Sequence, residues 1–303
     1  MNRYFCVFIA IFFISCTKEI EITIPNQKPG IVVYSTMVPF TLPRPKPLSL
    51  EIKKTAHIFD TSNNVVEDAQ VSLYKNTTLI DTIKYSPSTK IYPLNIKPKA
   101  GDNYSVVIET DHAKPLSATT TIPAKVQITD TFVTPIAFFD ETGSAFSEVN
   151  ITFKDPGKCK NYYELALSEI SFSYDSPDDF YEISTNDNII TSESYYPSLI
   201  RFYVDKPKYL LFTDDAINGR EHTVNIYYTP PQKIKEDDNR YISSHYITIH
   251  LRNVTEEYYK FKTTQIQQSY NKQEDILYGM GEPLNIYSNI ENGYGLFSGF
   301  NND

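Results

Sequence analysis

The feature that most restricts the fold of this chain is the alternation of apolar and polar residues in many short runs. Each run is bounded by proline, asparagine, aspartate or glycine, and this pattern is typical of half-buried β-strands. In the first half the runs are residues 31–37, 48–52, 69–74, 78–83 and 103–109. About seven strands within about 100 residues predict a β-sandwich. We therefore expect a sandwich domain over residues 25–124, which ends at a seam near 119–124.

An antibody-type sandwich is not expected, because residues 25–124 contain neither a cysteine pair nor a tryptophan. The prediction is a mostly β chain that starts with an immunoglobulin-like or transthyretin-like sandwich. A second β-rich domain is predicted over residues 125–303. Its β-like runs are residues 149–153, 162–167, 199–204, 223–228 and 246–251.

One segment of the second half has the helical period instead. Five apolar residues near 254–272 fall on one arc at 100° per residue, and polar residues fall opposite: the arc is Val254, Tyr258, Phe261, Ile266 and Tyr270. Asn253 and Glu256 have the spacing of a capping pair. We expect one amphipathic helix that lies on a sheet and serves packing.

The C-terminal tail should be packed, because residues 283–300 contain six large apolar residues and three glycines. We expect it to return to the second domain as a strand pair that completes its sheet. Gly293 and Gly295 would allow a tight turn or a backbone approach that a Cβ atom would block.

The N-terminus has the order of a lipoprotein signal peptide over residues 1–15: Arg3, an apolar run and a small residue at Ser15. Residues 13–16 resemble the bacterial lipobox, which implies that Cys16 is lipidated and followed by an anchor linker over 16–24. A soluble secreted protein is the alternative. With Cys6 removed and Cys16 lipidated, Cys159 has no partner for an intrachain disulfide.

The charge and the motifs argue against several classes of function. The chain has 37 acidic and 28 basic residues, a net charge of −9, so nucleic acid is not an expected partner. His245 and His250 are five apart in one strand and point to opposite faces, which prevents joint metal binding. Neither G-x-S-x-G nor H-E-x-x-H occurs.

Three weaker patterns of the sequence bear on ligand binding. Asp178–Asp179 and Asp214–Asp215 could bind a hard cation such as Ca²⁺, or be solvated turn acids. Gly293, Gly295 and Gly299 lack the spacing of a dinucleotide loop. We therefore predict no catalytic, metal-binding or cofactor-binding residues. A dispersed carboxylate pair for glycoside hydrolysis is left open.

Several blocks together resemble the Bacteroidota lipoproteins of the domain-of-unknown-function family 4249. The blocks are residues 65–73, 211–219, 255–261 and 283–299, with the lipobox. The resemblance implies an outer-membrane lipoprotein whose relatives are often encoded beside TonB-dependent transporters, and it implies no catalytic residues. Lys18, Glu19 and Glu21 resemble a surface-export signal.

The function expected from these observations is that of a non-enzymatic, surface-exposed accessory lipoprotein. It would help a TonB-dependent transporter to capture a nutrient, which would be a small ligand or a peptide. The alternatives are a structural or adhesive surface protein and a surface hydrolase with a dispersed site.

Overall fold

The structure is a computed structural model, and it describes residues 30–39, 48–56, 64–169, 180–190, 207–234, 240–242, 246–278 and 284–302. The predicted signal peptide, Cys16 and the linker over 16–24 lie outside these ranges. So do the predicted strand over 199–204, the Asp178–Asp179 pair and His245.

The described chain is mostly β, as predicted, with seventeen strands and one helix, α1 (Glu256–Tyr278). The strands before the seam are β1 (Ile31–Met37), β2 (Ser49–Lys54), β3 (Gln70–Lys75), β4 (Thr78–Ile83), β5 (Tyr92–Pro93), β6 (Asn103–Glu109) and β7 (Leu116–Thr121). The strands after it are β8 (Ile128–Phe139), β9 (Ala145–Lys154), β10 (Tyr162–Glu169), β11 (Ile183–Ser184), β12 (Leu210–Thr213), β13 (Glu221–Tyr228), β14 (Gln232–Ile234), β15 (Arg240–Ile242), β16 (Ile247–Val254) and β17 (Tyr294–Asn302).

One seven-stranded sheet runs through both halves of the molecule, in the order β12-β10-β16-β17-β1-β2-β5. A four-stranded sheet, β4-β3-β6-β7, shares an apolar core with the β17-β1-β2-β5 end. A second four-stranded sheet, β11-β13-β9-β8, shares another core with the β12-β10-β16 end. The fold is therefore two sandwiches built on one shared sheet.

The last strand, β17, joins the two sandwiches. It pairs in parallel with β1 from Val32↔Tyr294 to Met37↔Gly299, and it pairs antiparallel with β16 over residues 300–302. Phe297 lies fully buried in the first core. The prediction that the tail is packed is confirmed for β17. The predicted strand pair is wrong, since residues 284–290 form no strand, and Leu284 and Ile286 are 42% and 43% exposed. The prediction that the tail completes the sheet of the second domain alone is wrong, since most of its pairing is with β1.

Gly295 allows β17 to lie this close to β1. Its φ is +111°, and a Cβ atom there would lie 2.0 Å from the carbonyl oxygen of Val33. The predicted close backbone approach is therefore present at this glycine.

Helix α1 covers the opposite face of the shared sheet, where Tyr258 packs with Val254 of β16 and Leu296 of β17. The helix was predicted near 254–272 and begins two residues later. Thr255, not Asn253, caps it: the Tyr258 N–H donates to Thr255 Oγ1 at 3.3 Å. Asn253 is buried in β16 instead, so the predicted capping role is wrong.

The seam predicted near residues 119–124 corresponds to the link from β7 to β8. Ile122 belongs to the first core and Val126 to the second. The division into domains 25–124 and 125–303 stays a prediction, and β17 adds residues from the end of the chain to the first core. None of the helical residues in the described ranges forms a span long and apolar enough to cross a membrane.

Candidate functional site

An open cleft of about 640 Å³ lies at the seam between the two sandwiches. Residues 119–124, at the end of β7, form one side of it. The loop over 158–162 and the first residues of α1 form the other sides. The cleft is therefore lined by residues from both halves of the chain.

Asn161 organises the floor of this cleft. Its side-chain amide donates to Asp155 Oδ1 at 3.2 Å and to Asp214 Oδ2 at 3.3 Å, and its backbone N–H donates to Asp214 Oδ2 at 2.9 Å. Its Oδ1 accepts from Asn253 Nδ2 at 3.2 Å, and the Asn253 amide also donates to the carbonyl of Ala124 at 3.0 Å. This network holds the seam against β10 and β16.

Asp155 is buried and is fully engaged by donors. The N–H groups of Gly157 and Gly219 donate to its Oδ2 at 2.9 and 2.7 Å, and the Tyr163 hydroxyl donates to its Oδ1. Burial raises the pKa of Tyr163 well above its ordinary value, and the hydrogen bond to Asp155 is the second-largest cause of this rise. Through these hydrogen bonds, Asp155 links the end of β9 to the turn before β13.

The two residues of the Asp214–Asp215 pair have separate roles. Asp214 is buried and accepts from Asn161, whereas Asp215 is exposed and pairs with Lys160 Nζ at 2.9 Å. The hydrogen bond from Lys160 lowers the pKa of Asp215. Across the described ranges, no three of the His, Cys, Asp and Glu side chains are grouped to hold a metal ion.

Cys159 lies exposed on the cleft wall, with its sulfur 3.8 Å from Asn161 Oδ1. The histidines that the structure describes lie apart. His250 bonds Ser168 Oγ at 2.8 Å, His222 bonds Asp187 Oδ2 at 2.8 Å, and His112 lies 3.5 Å from Asp68. His57 and His245 lie outside the described residues.

A second buried polar cluster, which the sequence patterns did not predict, lies under helix α1. Glu164, 2% exposed, accepts from Arg252 and, at 2.7 Å, from the Tyr258 hydroxyl. Arg252 also donates to Asn302 Oδ1 at 3.2 Å. Burial raises the pKa of Tyr258 well above its ordinary value, and the charge of Glu164 adds to this rise. The sequence feature that indicates this cluster is Glu164, a single acidic residue inside the apolar run of β10.

The third feature is an exposed apolar surface on β8, the outermost strand of its four-stranded sheet. We call it the β8 surface, and its residues are Phe132, Val133, Ile136, Phe138 and Phe139. Phe132 and Phe139 are 64% and 62% exposed. The sequence patterns did not predict this surface either. The sequence feature that indicates it is the presence of apolar residues at both odd and even positions. Successive residues of a strand point to opposite faces, so one buried face cannot cover all of them.

Comparisons with solved structures give only distant likeness. The chain is 12% identical to a protein from Corynebacterium diphtheriae that is described as membrane anchored, with a TM-score of 0.21. It is 14% identical to a chitinase from Bacillus thuringiensis, with a TM-score of 0.15. Each match covers 74% of this chain, but only 54% and 30% of the other chains. A search of curated proteins finds no match.

The comparison with protein families is more informative. Residues 17–303 match the model of the family described as "Domain of unknown function (DUF4249)". This is the family that the sequence motifs resemble, and the match covers nearly the whole chain. The protein therefore belongs to the DUF4249 family.

Proposed function

We propose that this protein is a lipid-anchored accessory protein of the outer membrane that helps a TonB-dependent transporter to capture a nutrient. Lipidated Cys16 is the anchor in this proposal, and the folded residues present the binding surfaces. The partner class comes from the family resemblance, and the binding role comes from the cleft.

The seam cleft is the observation that carries the proposal. Its volume of about 640 Å³ falls within the range of about 300–1,000 Å³ that is usual for small-ligand sites. It lies between two sandwiches, and junctions between structural units are preferred places for ligand sites.

The charges around the cleft favour a ligand that carries both signs. Lys158 is exposed on one side, and Glu257 stands at the start of α1 on another, beside Glu256, which is paired with Lys260 at 2.7 Å. The buried Asp155 and Asp214 are engaged by N–H and O–H donors within the protein. A short peptide or an amino-acid-like nutrient suits this arrangement of charges.

The test is purification of the tagged full-length protein, in mild detergent, from the outer membrane of its own host. We expect a TonB-dependent transporter encoded in the neighbouring genes to co-purify with it. Cys16→Ser should release the protein from the membrane fraction, whereas Cys159→Ser, the matched control, should leave it there.

Two results would contradict the proposal. Retention of Cys16→Ser in the outer membrane without detergent would rule out the lipid anchor. Purification of the wild type without any transporter would favour the structural or adhesive alternative.

A further inference from the structure

The β8 surface has apolar side chains on both faces of one edge strand. The register sets Phe132 and Phe138 beside Asn150 and Phe146 of β9, and it sets Val133 and Phe139 beside Val149 and Ala145. Five large apolar side chains lie within eight consecutive positions of one edge strand. Phe138 stacks on Phe146 at 5.0 Å and meets Tyr227 edge-on at 5.3 Å, so this ring is held by neighbours on the same face of the sheet. Exposed apolar side chains that are grouped in this way mark interaction sites, and a partner that covers them must enclose both faces of the strand.

The backbone of β8 is unsuited to pairing with a strand of another molecule. The register with β9 shifts at Thr129 and again between Thr134 and Phe138, where Pro135 also lacks an N–H. The hydroxyl of Ser147 donates to the carbonyl of Pro135 inside the second irregularity. Bulges and prolines are the devices by which proteins prevent edge-to-edge association. The side chains, not the backbone edge, are therefore the binding groups.

The charges around the surface argue against insertion into lipid. Residues 128–148 contain four carboxylates, those of Asp130, Asp140, Glu141 and Glu148, and no lysine or arginine. Asp140 and Glu141 lie at the hairpin tip, where Asp140 Oδ1 accepts from the N–H groups of Thr142 and Ser144, both at 2.9 Å. Immersion of this tip in a bilayer would bury charged carboxylates, which is costly.

We propose that the β8 surface is the docking site for a partner protein that offers an apolar groove rimmed by lysine or arginine. Aromatic side chains that enter such a groove are frequent centres of binding energy. The surrounding carboxylates would orient the approach and select the partner by complementary charge. This inference rests on the proposed function, which supplies the transporter as the partner to be tested.

The experiment measures the affinity of the full-length, detergent-solubilised protein for the purified transporter. The first variant combines Phe132→Ser with Phe139→Ser. Its matched control combines Leu79→Ser with Ile80→Ser on the β3–β4 hairpin, where the side chains are 52% and 40% exposed. We expect the β8 variant to bind at least about tenfold more weakly, and we expect the control to bind as the wild type does.

A second variant tests the charge. Glu141→Lys combined with Glu148→Lys leaves the apolar surface and the Asp140 turn in place. It should slow association and remove the salt dependence of binding. If the serine variant has a lowered melting temperature, its weaker binding does not distinguish lost contacts from partial unfolding. The binding of the lysine variant then tests the proposal.

The contrary outcomes separate the two proposals. If the wild type binds the transporter and both β8 variants bind equally well, this inference is wrong and the proposed function stands. If the wild type does not bind, both fail. Two further results would overturn the inference: the wild type binds phosphatidylcholine vesicles and the serine variant does not, or the wild type forms a dimer and the serine variant does not. In the first case lipid occupies the β8 surface, and in the second case a second copy of the chain occupies it.

Discussion

The two sandwiches share one sheet but differ in what they bury. The first core contains only apolar and aromatic side chains, and the buried polar residues near it, among those described, are Ser35 and Thr120. In the second half the carboxylates of Asp155, Glu164 and Asp214 are buried. The first half therefore depends on apolar packing, and the second depends in addition on networks in which each buried charge has its donors.

This difference has a structural cause in strand β10. Six consecutive residues from Tyr163 to Ser168 are buried, because the second core covers one face of the strand and α1 covers part of the other. Strand β6, in contrast, is half-exposed on one face and shows a strict alternation. Polar groups enclosed on both sides need partners within the protein.

The largest expected effect comes from removal of β17. Truncation after Glu282 would delete Leu296 and Phe297, and loss of one buried Phe or Leu side chain already costs about 2–5 kcal/mol. The sum is comparable to the whole stability of a domain, about 5–15 kcal/mol. We expect the truncated chain to lose its cooperative thermal unfolding, measured by circular dichroism.

A fragment experiment sharpens this prediction. Residues 25–124 alone should be protease-sensitive, and addition of a peptide over 284–303 should restore protection. Stable folding of 25–124 without the peptide would show that the first sandwich does not need β17, and that the domain division made from the sequence is sufficient.

A smaller effect is expected for Gly295→Ala. The left-handed backbone conformation costs about 1–2 kcal/mol for other residues, and the clash with Val33 adds an overpacking cost of about 1–3 kcal/mol. We expect the free energy of unfolding in urea to fall by roughly 4 kcal/mol. Gly143→Ala is the control, because its φ is +80° but no atom lies within 4 Å of the added Cβ. Equal losses in the two variants would show that β17 is not tightly packed on β1.

The smallest of the three effects is expected for Glu164→Gln in the second half. Gln keeps an acceptor for Tyr258 but leaves Arg252 without a countercharge. Breaking a buried ion pair costs about 3–5 kcal/mol, and the lower end, about 3 kcal/mol, applies because 19% of the Arg252 side chain remains exposed. Glu169→Gln, at the exposed end of the same strand, should change the urea midpoint little. If the two variants have equal stability, the Glu164 cluster does not stabilise the second half.

The fold was predictable where one face of a strand is covered. Strands β1, β3 and β6 alternate in sequence as they do in burial. The destination of the tail was not predictable, because Leu296 and Phe297 are both buried, on opposite faces of β17, and the periodicity does not say which strand lies beside them.

The candidate site was less predictable than the fold. Asn161, Asp155, Asp214 and Asn253 come from three separated segments, and each looks like a turn or cap residue in its local sequence. Asn253 shows the difficulty: its distance from Glu256 fits a helix cap, yet its partners are Ala124 and Asn161. The pairing of β10 with β16 brings Asn253 to the seam, and the pairing of β10 with β12 brings Asp214 there.

The pairing of β1 with β17 has a consequence for the order of folding. Thr36 and Ser298 lie side by side although 262 positions separate them in the chain. Contacts between residues so distant in sequence form late, because a long loop must close before the contact can stabilise it. The hairpins β3–β4 and β8–β9 can form early from local contacts, whereas we expect the first sandwich to close only after residues 294–302 have been synthesised. On the ribosome, we therefore expect β1 to be among the last strands to become native, although it is synthesised long before its partner β17.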